Sequence, residues 1–200
     1  MILDPVDLDY RLAHWVQSVT GGTGASCAYA ITWLGSGWMI LPMVAFAVRG
    51  RHATLARALL LVSGITSGLV AILKWIVSRP RPFRAHSDIL ALVVGPSDNS
   101  CPSGHAAGSF AVAVFLIGAL WPVTGADGTR KSTRALRREH FFAVLLVALA
   151  ALIALSRVIL GVHYPFDVGM GAILGAAIGA YSAMHWRRRR ERRFSPIASR

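Results

Sequence analysis

Residues 141–160 read FFAVLLVALAALIALSRVIL, a run with one cation, Arg157, and no acid. About 20 such residues carry an α-helix across the hydrocarbon core of a bilayer. Working outward, comparable runs cover 30–48, 58–77, 104–121 and 166–186. The expected architecture is therefore all-α: an integral membrane helical bundle with five spanning helices. Composition agrees, because 54% of the 200 residues are hydrophobic and 15% charged, whereas soluble domains carry about 25% charged residues. Too little polar sequence lies between the runs for a second globular unit, so residues 1–200 are read as one domain.

Ahead of the first span, Leu8, Leu12, Trp15, Val16 and Val19 recur at helical spacing with Asp9, Arg11, His14 and Gln17 between them. This is the pattern of an amphipathic helix lying at the membrane interface. Thr20-Gly-Gly-Thr-Gly24 reads as a break, which makes 1–29 an interfacial helix and linker and leaves a sixth crossing there open. Asp4, Asp7 and Asp9, with no Lys or Arg in residues 1–10, do not fit a secretory signal, so no cleaved signal is expected.

The net charge of +12 raises nucleic acid as a partner, and the position of the charge removes it. Arg49, Arg51 and Arg57 lie between the first two spans, Arg130, Lys131, Arg134, Arg137 and Arg138 between the third and fourth, and 187–190, Arg192 and Arg193 after the fifth. Basic residues beside spans are retained in the cytoplasm. These segments are therefore cytoplasmic, with 187–200 a basic tail that also meets anionic lipid. Residues 78–103, 161–165 and the amino-terminal segment are left on the outer side of the inner (plasma) membrane. Cys27 and Cys101 make neither a disulfide framework nor a zinc pattern, although their common side leaves a pairing between them open.

The cations that break these rules point to the chemistry. Lys74 and Arg157 sit inside apolar runs near their outer ends, and Arg79, Arg81 and Arg84 lie in an outer loop. Snorkelling would explain either intramembrane cation alone. Both lie near the same membrane face as two histidine-bearing segments, which favours a functional site. In Lys74-Trp-Ile-Val-Ser-Arg-Pro-Arg-Pro82, Pro80 and Pro82 end the helix, yet Lys74 and Arg81 can converge. A mobile point charge and a planar fork of donors together suit a phosphoryl group. In Cys101-Pro-Ser-Gly-His105, Ser103 is placed as an N-cap, Gly104 allows close backbone approach, and the helix start offers N–H groups to an anion. In 156–167, SRVILGVHYPFD, Pro165 fits the first turn of the last helix, with His163 at its mouth and Asp167 one turn in. A carboxylate on one imidazole nitrogen leaves the other free to attack. Taken singly, each segment has a plain reading: an Arg-rich stretch beside a span, a simple cap, an interfacial histidine.

Together the three segments resemble the tripartite signature of the type 2 phosphatidic acid phosphatases and the related vanadium haloperoxidases and bacterial acid phosphatases. That signature is Lys, six residues, Arg-Pro; then Pro-Ser-Gly-His; then Ser-Arg, five residues, His, three residues, Asp. It is matched in full by Lys74, Arg81 and Pro82, by Pro102, Ser103, Gly104 and His105, and by Ser156, Arg157, His163 and Asp167. The resemblance implies that His163 attacks phosphorus to form a phosphohistidine, with Asp167 orienting it. It implies that His105 protonates the departing oxygen and later activates water. Lys74, Arg81, Arg157, Ser103 and the amide of Gly104 would hold the phosphoryl oxygens. Arg79 belongs to a second Arg-Pro pair, out of register with the signature, and is read as an accessory contact at most. The family usually has six spans, against the five read here.

The implied activity is hydrolysis of a lipid phosphate or pyrophosphate at the outer face. The stretch 79–86, RPRPFRAH, looks like that of the small bacterial undecaprenyl pyrophosphate phosphatases, which makes undecaprenyl pyrophosphate the preferred substrate. Phosphatidylglycerol phosphate phosphatase, lipid A phosphatase and a lipid phosphotransferase share the chemistry and stand as alternatives. A small transporter would have no need of a His-Asp pair beside a second His. The expected partners are the lipid phosphate and membrane lipids, and the oligomeric state is not specified by the sequence. No metal or other cofactor is expected, since the motifs place neither Asp88 nor Asp98 beside the histidines. The orientation is checked with Ser132→Cys in a background lacking Cys27 and Cys101. An impermeant thiol reagent is expected to label it only after the cells are permeabilised, and labelling in intact cells would reverse the topology.

Overall fold

The computed structural model describes residues 5–36, 53–120 and 132–194. Its helices are α1 (Pro5–Leu34), α2 (Ala53–Val77), α3 (Pro82–Ala85), α4 (Gly104–Leu120), α5 (Thr133–Ile159) and α6 (Pro165–Phe194), and the described residues include no strand. Three segments are long and apolar enough to cross a membrane, Ala53–Ala85, Thr133–Ile159 and Pro165–Arg189, beside the shorter apolar helix Gly104–Leu120. The expected second, fourth and fifth spans thus fall within α2, α5 and α6, and the third within α4. The expected first span, 30–48, begins inside α1 and from residue 37 on lies outside the described residues, as do Arg49, Arg51, Trp121, Arg130, Lys131 and 195–200. Leu61, Ile65, Ile72 and Trp75 on α2, Phe141 and Val144 on α5, and Ile173 on α6 face outward. In a helix whose backbone groups are satisfied internally, such an apolar face is the one lipid can cover.

Three boundaries differ from the sequence reading. The break at 20–24 is a kink at one residue, Gly21 (φ 56°, ψ −171°), with helix on both sides of it. Glycine reaches that backbone region without a Cβ penalty, so the residues taken as a linker continue α1. Helix α5 starts at Thr133, where Ser132 Oγ accepts from the Ala135 amide at 3.3 Å, and so takes in the basic stretch ahead of 141. Helix α6 runs on to Phe194 through the first part of the basic tail. Arginine is a good helix former, and Arg187 Nε donates to the Gly118 carbonyl of α4.

The closest seam is between α4 and α6. Ala111, Phe115 and Ala119 of α4, Ala183 of α6 and Val62 of α2 form a buried apolar cluster. Above it, Gly171, Gly175 and Gly179 recur every four residues along one face of α6, and a Cβ on each would stand 2.5, 2.1 and 2.5 Å from the carbonyl oxygens of Ser103, Ala107 and Ala111. Small residues let two backbones approach to this degree. At the other end of the seam the Ser103 amide donates to the Asp167 carbonyl at 2.9 Å, so the starts of α4 and α6 lie side by side. Helix α1 packs on α5. Ala13, Ile89, Val158 and Tyr164 form one cluster, and Ala28, Leu160 and Val162 another. Gln17 fixes the 78–103 loop by donating to the Leu90 carbonyl (2.7 Å) and accepting from its amide (3.0 Å). Both cysteines are free thiols, Cys27 exposed and Cys101 buried, and no disulfide joins them.

Gly175→Ala is expected to lower the thermal stability of the detergent-solubilised protein by about 1–3 kcal/mol, the usual cost of overpacking. Gly169→Ala, where an added Cβ meets nothing within 4 Å, is expected to be neutral or stabilising. Thermal unfolding of the two variants side by side checks this, and equal behaviour would mean that the seam is looser than described.

Candidate active site

The three sequence motifs meet at one end of the bundle. Helix α2 stops at Val77 ahead of the proline-bearing stretch, leaving Lys74 in its last turn, 8% exposed. A buried ammonium in apolar surroundings needs partners, and Lys74 Nζ donates to Asp98 Oδ2 (2.6 Å) and to the Asn99 carbonyl (2.7 Å). Arg81, 2% exposed, uses its whole fork. Nε donates to the Asp98 carbonyl at 2.9 Å, Nη2 to Asp98 Oδ1 at 2.6 Å and Nη1 to the Val162 carbonyl at 2.7 Å. One carboxylate thus bridges the two cations expected to converge. Burial alone would raise the Asp98 carboxyl, but the hydrogen bonds from Lys74 and Arg81 outweigh it and hold it down at about 2. The sequence reading left Asp98 away from the histidines. In fact it lines the same cavity, and the signal that could have found it was the need of two cations near the membrane for a counter-ion.

Arg157, in the last turn of α5, is 5% exposed; its Nη1 donates to Thr32 Oγ1 of α1 at 2.6 Å, while its Nε has no partner among the described residues. Ser103 stands at the N-cap position of α4, and its carbonyl accepts from the Ala107 amide at 3.0 Å. Its buried hydroxyl makes no capping bond, contrary to expectation, and has no partner among the described residues. The first-turn amides of α4, Gly104 included, have no acceptor within their own helix. A Cβ at Gly104 would lie 3.6 Å from Val70 Cγ1, an ordinary contact, so protein packing does not by itself require glycine there.

His163 lies in the turn between α5 and α6, 2% exposed. Arg81 Nη1 is 3.1 Å from its Nε2. A guanidinium only donates, so Nε2 is the accepting nitrogen and the proton of the neutral ring sits on Nδ1. Burial, reinforced by the positive charge of Arg81, pushes this imidazole down to about 4. Nδ1 faces Ser100 Oγ at 3.4 Å and Asp167 Oδ2 at 3.7 Å. The expected direct His-Asp hydrogen bond is therefore a longer contact, beyond hydrogen-bond reach, with a serine hydroxyl beside it. Asp167 itself is fully buried and well held. Its Oδ2 accepts from Ser100 Oγ (2.5 Å) and the Tyr164 amide (3.0 Å), and its Oδ1 accepts from Arg79 Nη1 (2.8 Å). Neither Ser100 nor this use of Arg79 was visible in the motifs.

Lys74, Arg81, Gly104, His105, Arg157 and His163, with Asp98, line one cavity of about 300 Å³, and Val70 and Ala71 of α2 form its apolar edge. Among the described residues no group of three or more His, Cys, Asp or Glu is arranged to hold a metal ion. Two imidazoles, three cations and a helix start around one small cavity suit transfer of an anionic group, the developing charge being met by fixed donors.

The described fold and residues have known counterparts. A family model described as the PAP2 superfamily matches residues 55–192. Decaprenylphosphoryl-5-phosphoribose phosphatase of Mycobacterium tuberculosis is 35% identical over 148 residues, covering 72% of this chain and 68% of that protein. An undecaprenyl-diphosphatase of Sulfolobus acidocaldarius is 33% identical over 109 residues, 54% of this chain and 44% of that protein. Among solved structures, LpxE of Aquifex aeolicus superposes with a TM-score of 0.71 at 25% identity, covering 92% of this chain and 99% of that one. A PAP2-type phosphatidylglycerolphosphate phosphatase of Bacillus subtilis superposes with a TM-score of 0.74 at 24% identity, covering 94% and 89%. With the family pattern spanning most of the chain and the same helical fold around it, the chain belongs to the PAP2 superfamily and is a multi-pass membrane phosphatase of lipid phosphate esters.

Proposed function

We propose that the enzyme hydrolyses a polyprenyl-linked phosphate at the outer face of the plasma membrane through a phosphohistidine on His163. The observation that carries the catalytic reading is that, of the four buried side-chain polar atoms without a partner among the described residues, two, Ser103 Oγ and Arg157 Nε, belong to the motifs, while Ser63 Oγ and Trp186 Nε1 do not. Buried polar groups are nearly always paired within a protein, so two left without partners beside Lys74, Arg81 and the start of α4 suit the oxygens of a phosphoryl group. In the first step Nε2 of His163 attacks phosphorus, the P–O bond to the lipid breaks, and His105 donates a proton to the departing oxygen. In the second, His105 takes a proton from water, which attacks the phosphohistidine and returns the imidazole with inorganic phosphate. Asp167 orients His163, and the bare backbone of Gly104 lets an equatorial oxygen approach the helix start.

The substrate class is supported by the relatives. Two of them, of different organisms, are named for polyprenyl lipids, decaprenylphosphoryl-5-phosphoribose and undecaprenyl diphosphate. The more extensive match is to the first, which favours a phosphate monoester on a polyprenyl-linked sugar over the undecaprenyl pyrophosphate read from 79–86. Purified protein in detergent, offered both lipids together with phosphatidylglycerol phosphate and a lipid A phosphate, is expected to release phosphate fastest from a polyprenyl substrate. A preference for either of the last two would overturn the class.

The histidines are expected to separate by leaving group. His163→Ala abolishes turnover and phosphoenzyme with every ester. His105→Ala loses roughly 10²-fold or more on a lipid alkoxide, which needs the proton, yet still gives a burst of phosphoenzyme with p-nitrophenyl phosphate, which does not. Phosphoenzyme trapped in His163→Ala would reverse the roles.

The position of the His163 imidazole, at about 4, fixes a pH dependence. A group lowered from about 6.5 remains neutral and nucleophilic as pH falls from 7, and protonates only near its own value. The acidic limb of kcat/KM, which reports the free enzyme, is therefore expected below about pH 5. A limb centred near 6.5 would mean that His163 is an ordinary solvated imidazole or is not the nucleophile.

A further inference from the structure

Beside the phosphate-facing cations, one guanidinium faces away from the cavity. Arg79 Nη1 donates to Asp167 Oδ1 at 2.8 Å and Nη2 to Asp9 Oδ2 at 2.7 Å, and its guanidinium carbon lies 4.0 Å from the centre of the Tyr164 ring. Asp9 comes from α1, is 7% exposed, and its Oδ1 accepts from the Phe166 amide at 2.9 Å. The start of α6 is thus met by two carboxylates, Asp167 from within, on the Tyr164 amide, and Asp9 from outside, on the Phe166 amide, with Arg79 clamped between them. The Arg79 carbonyl also accepts from the Ser100 amide at 2.8 Å, and Ser100 Oγ donates to the other oxygen of Asp167. Arg79 therefore controls both oxygens of that carboxylate, one through its side chain and one through its backbone.

We infer that Arg79 and Asp9 are positioning residues for the phosphoryl transfer, through which the amino-terminal helix holds Asp167, and by it His163, in line. This rests on His163 being the nucleophile. It replaces the reading of Arg79 as an accessory phosphate contact with a different task. The charge balance gives Asp9 a role beyond capping. Shared between two carboxylates, the guanidinium cannot fully neutralise Asp167, and the cluster keeps one negative charge near Nδ1–H. That charge gains value as the ring becomes cationic on attacking phosphorus. Without Asp9, Arg79 would be left to Asp167 alone.

The test is steady-state kinetics on the purified full chain in detergent, with inorganic phosphate as competitive inhibitor and thermal unfolding as a check on fold. Arg79→Ala is expected to lower kcat about 10²-fold, the order reached when a reacting group is misplaced by about 1 Å, with KM and the inhibition constant for phosphate within about twofold. Asp9→Asn keeps an oxygen for the Phe166 amide but turns an NH2 toward Arg79 Nη2, removing both the charge and the acceptor for Arg79, and is expected to lower kcat about tenfold. Arg79→Lys, which retains the charge and a donor for Asp167, is expected to recover part of the loss. Since Asp9 acts through Arg79, Asp9→Asn added to Arg79→Ala is expected to cost little more, where independent effects would multiply. Weaker phosphate inhibition in Arg79→Ala would return Arg79 to the phosphate. Losses that multiply, or wild-type kcat in folded Arg79→Lys and Asp9→Asn, would remove the relay. His163→Ala is run alongside: if it turns over, the nucleophile assignment fails, and if it is dead while the Arg79 and Asp9 variants are normal, only the present inference fails.

Discussion

Positive charge held almost out of water has to be met by something, and the motif-bearing end of this bundle is arranged around that requirement. Lys74, Arg81 and Arg157 are each no more than 8% exposed, Lys74 and Arg157 in the last turns of long, chiefly apolar helices and Arg81 just ahead of α3. Transfer of an unpaired charge into such surroundings is prohibitive. Asp98 answers Lys74 and Arg81 together, Thr32 answers one nitrogen of Arg157, and Asp9 and Asp167 answer Arg79. The partners come from segments far apart in the chain, so pairing the cations is also what draws α1, the 78–103 loop and the starts of α4 and α6 to one place. Only part of the donor capacity is consumed: Arg157, which lines the cavity, keeps its Nε without a partner among the described residues.

A second constraint makes that convergence reproducible. The glycines of α6 bring its backbone against the carbonyls of α4, and the Ser103 amide is tied to the Asp167 carbonyl. The two helices begin side by side as a result, one opening with Gly104 and His105 and the other with Pro165, just after His163. Packing at the apolar seam and geometry at the reacting atoms are thus parts of one arrangement, which is why glycines two turns from the site belong to any account of it.

The spans and motifs were legible in the sequence because both rest on local signals. A run such as 141–160 has few alternatives to a membrane helix, and Lys74 and Arg157 stood out because their surroundings made them expensive. The residues that complete the site carry no such signal. Asp98 looked like one loop acid among others, Ser100 like a loop serine, and Thr32 like a residue of an apolar segment. Their partners lie from 17 to 125 positions away, and neither period nor spacing encodes a pairing at that separation. Asp9 entered only as a polar position of the amphipathic helix and as an argument against a signal peptide. Arg79 seemed a misregistered copy of Arg81, although two residues further back the chain faces other partners. The boundaries that moved have similar causes: an arginine-rich stretch can extend a helix as readily as end it, and one glycine bends a helix without terminating it.

The kink at Gly21 divides α1 into two arms with separate duties. The arm before it brings Asp9 to Arg79, and the arm after it brings Thr32 to Arg157, so one bent element braces the reaction centre at two points. Both points precede residue 55, where the shared family pattern begins. A chimaera that kept everything within that pattern and received a foreign amino-terminal helix would carry the complete signature, yet it would lack two of the braces that steady it. For this chain, on the proposed mechanism, the portable unit of catalysis is larger than the portable unit of recognition.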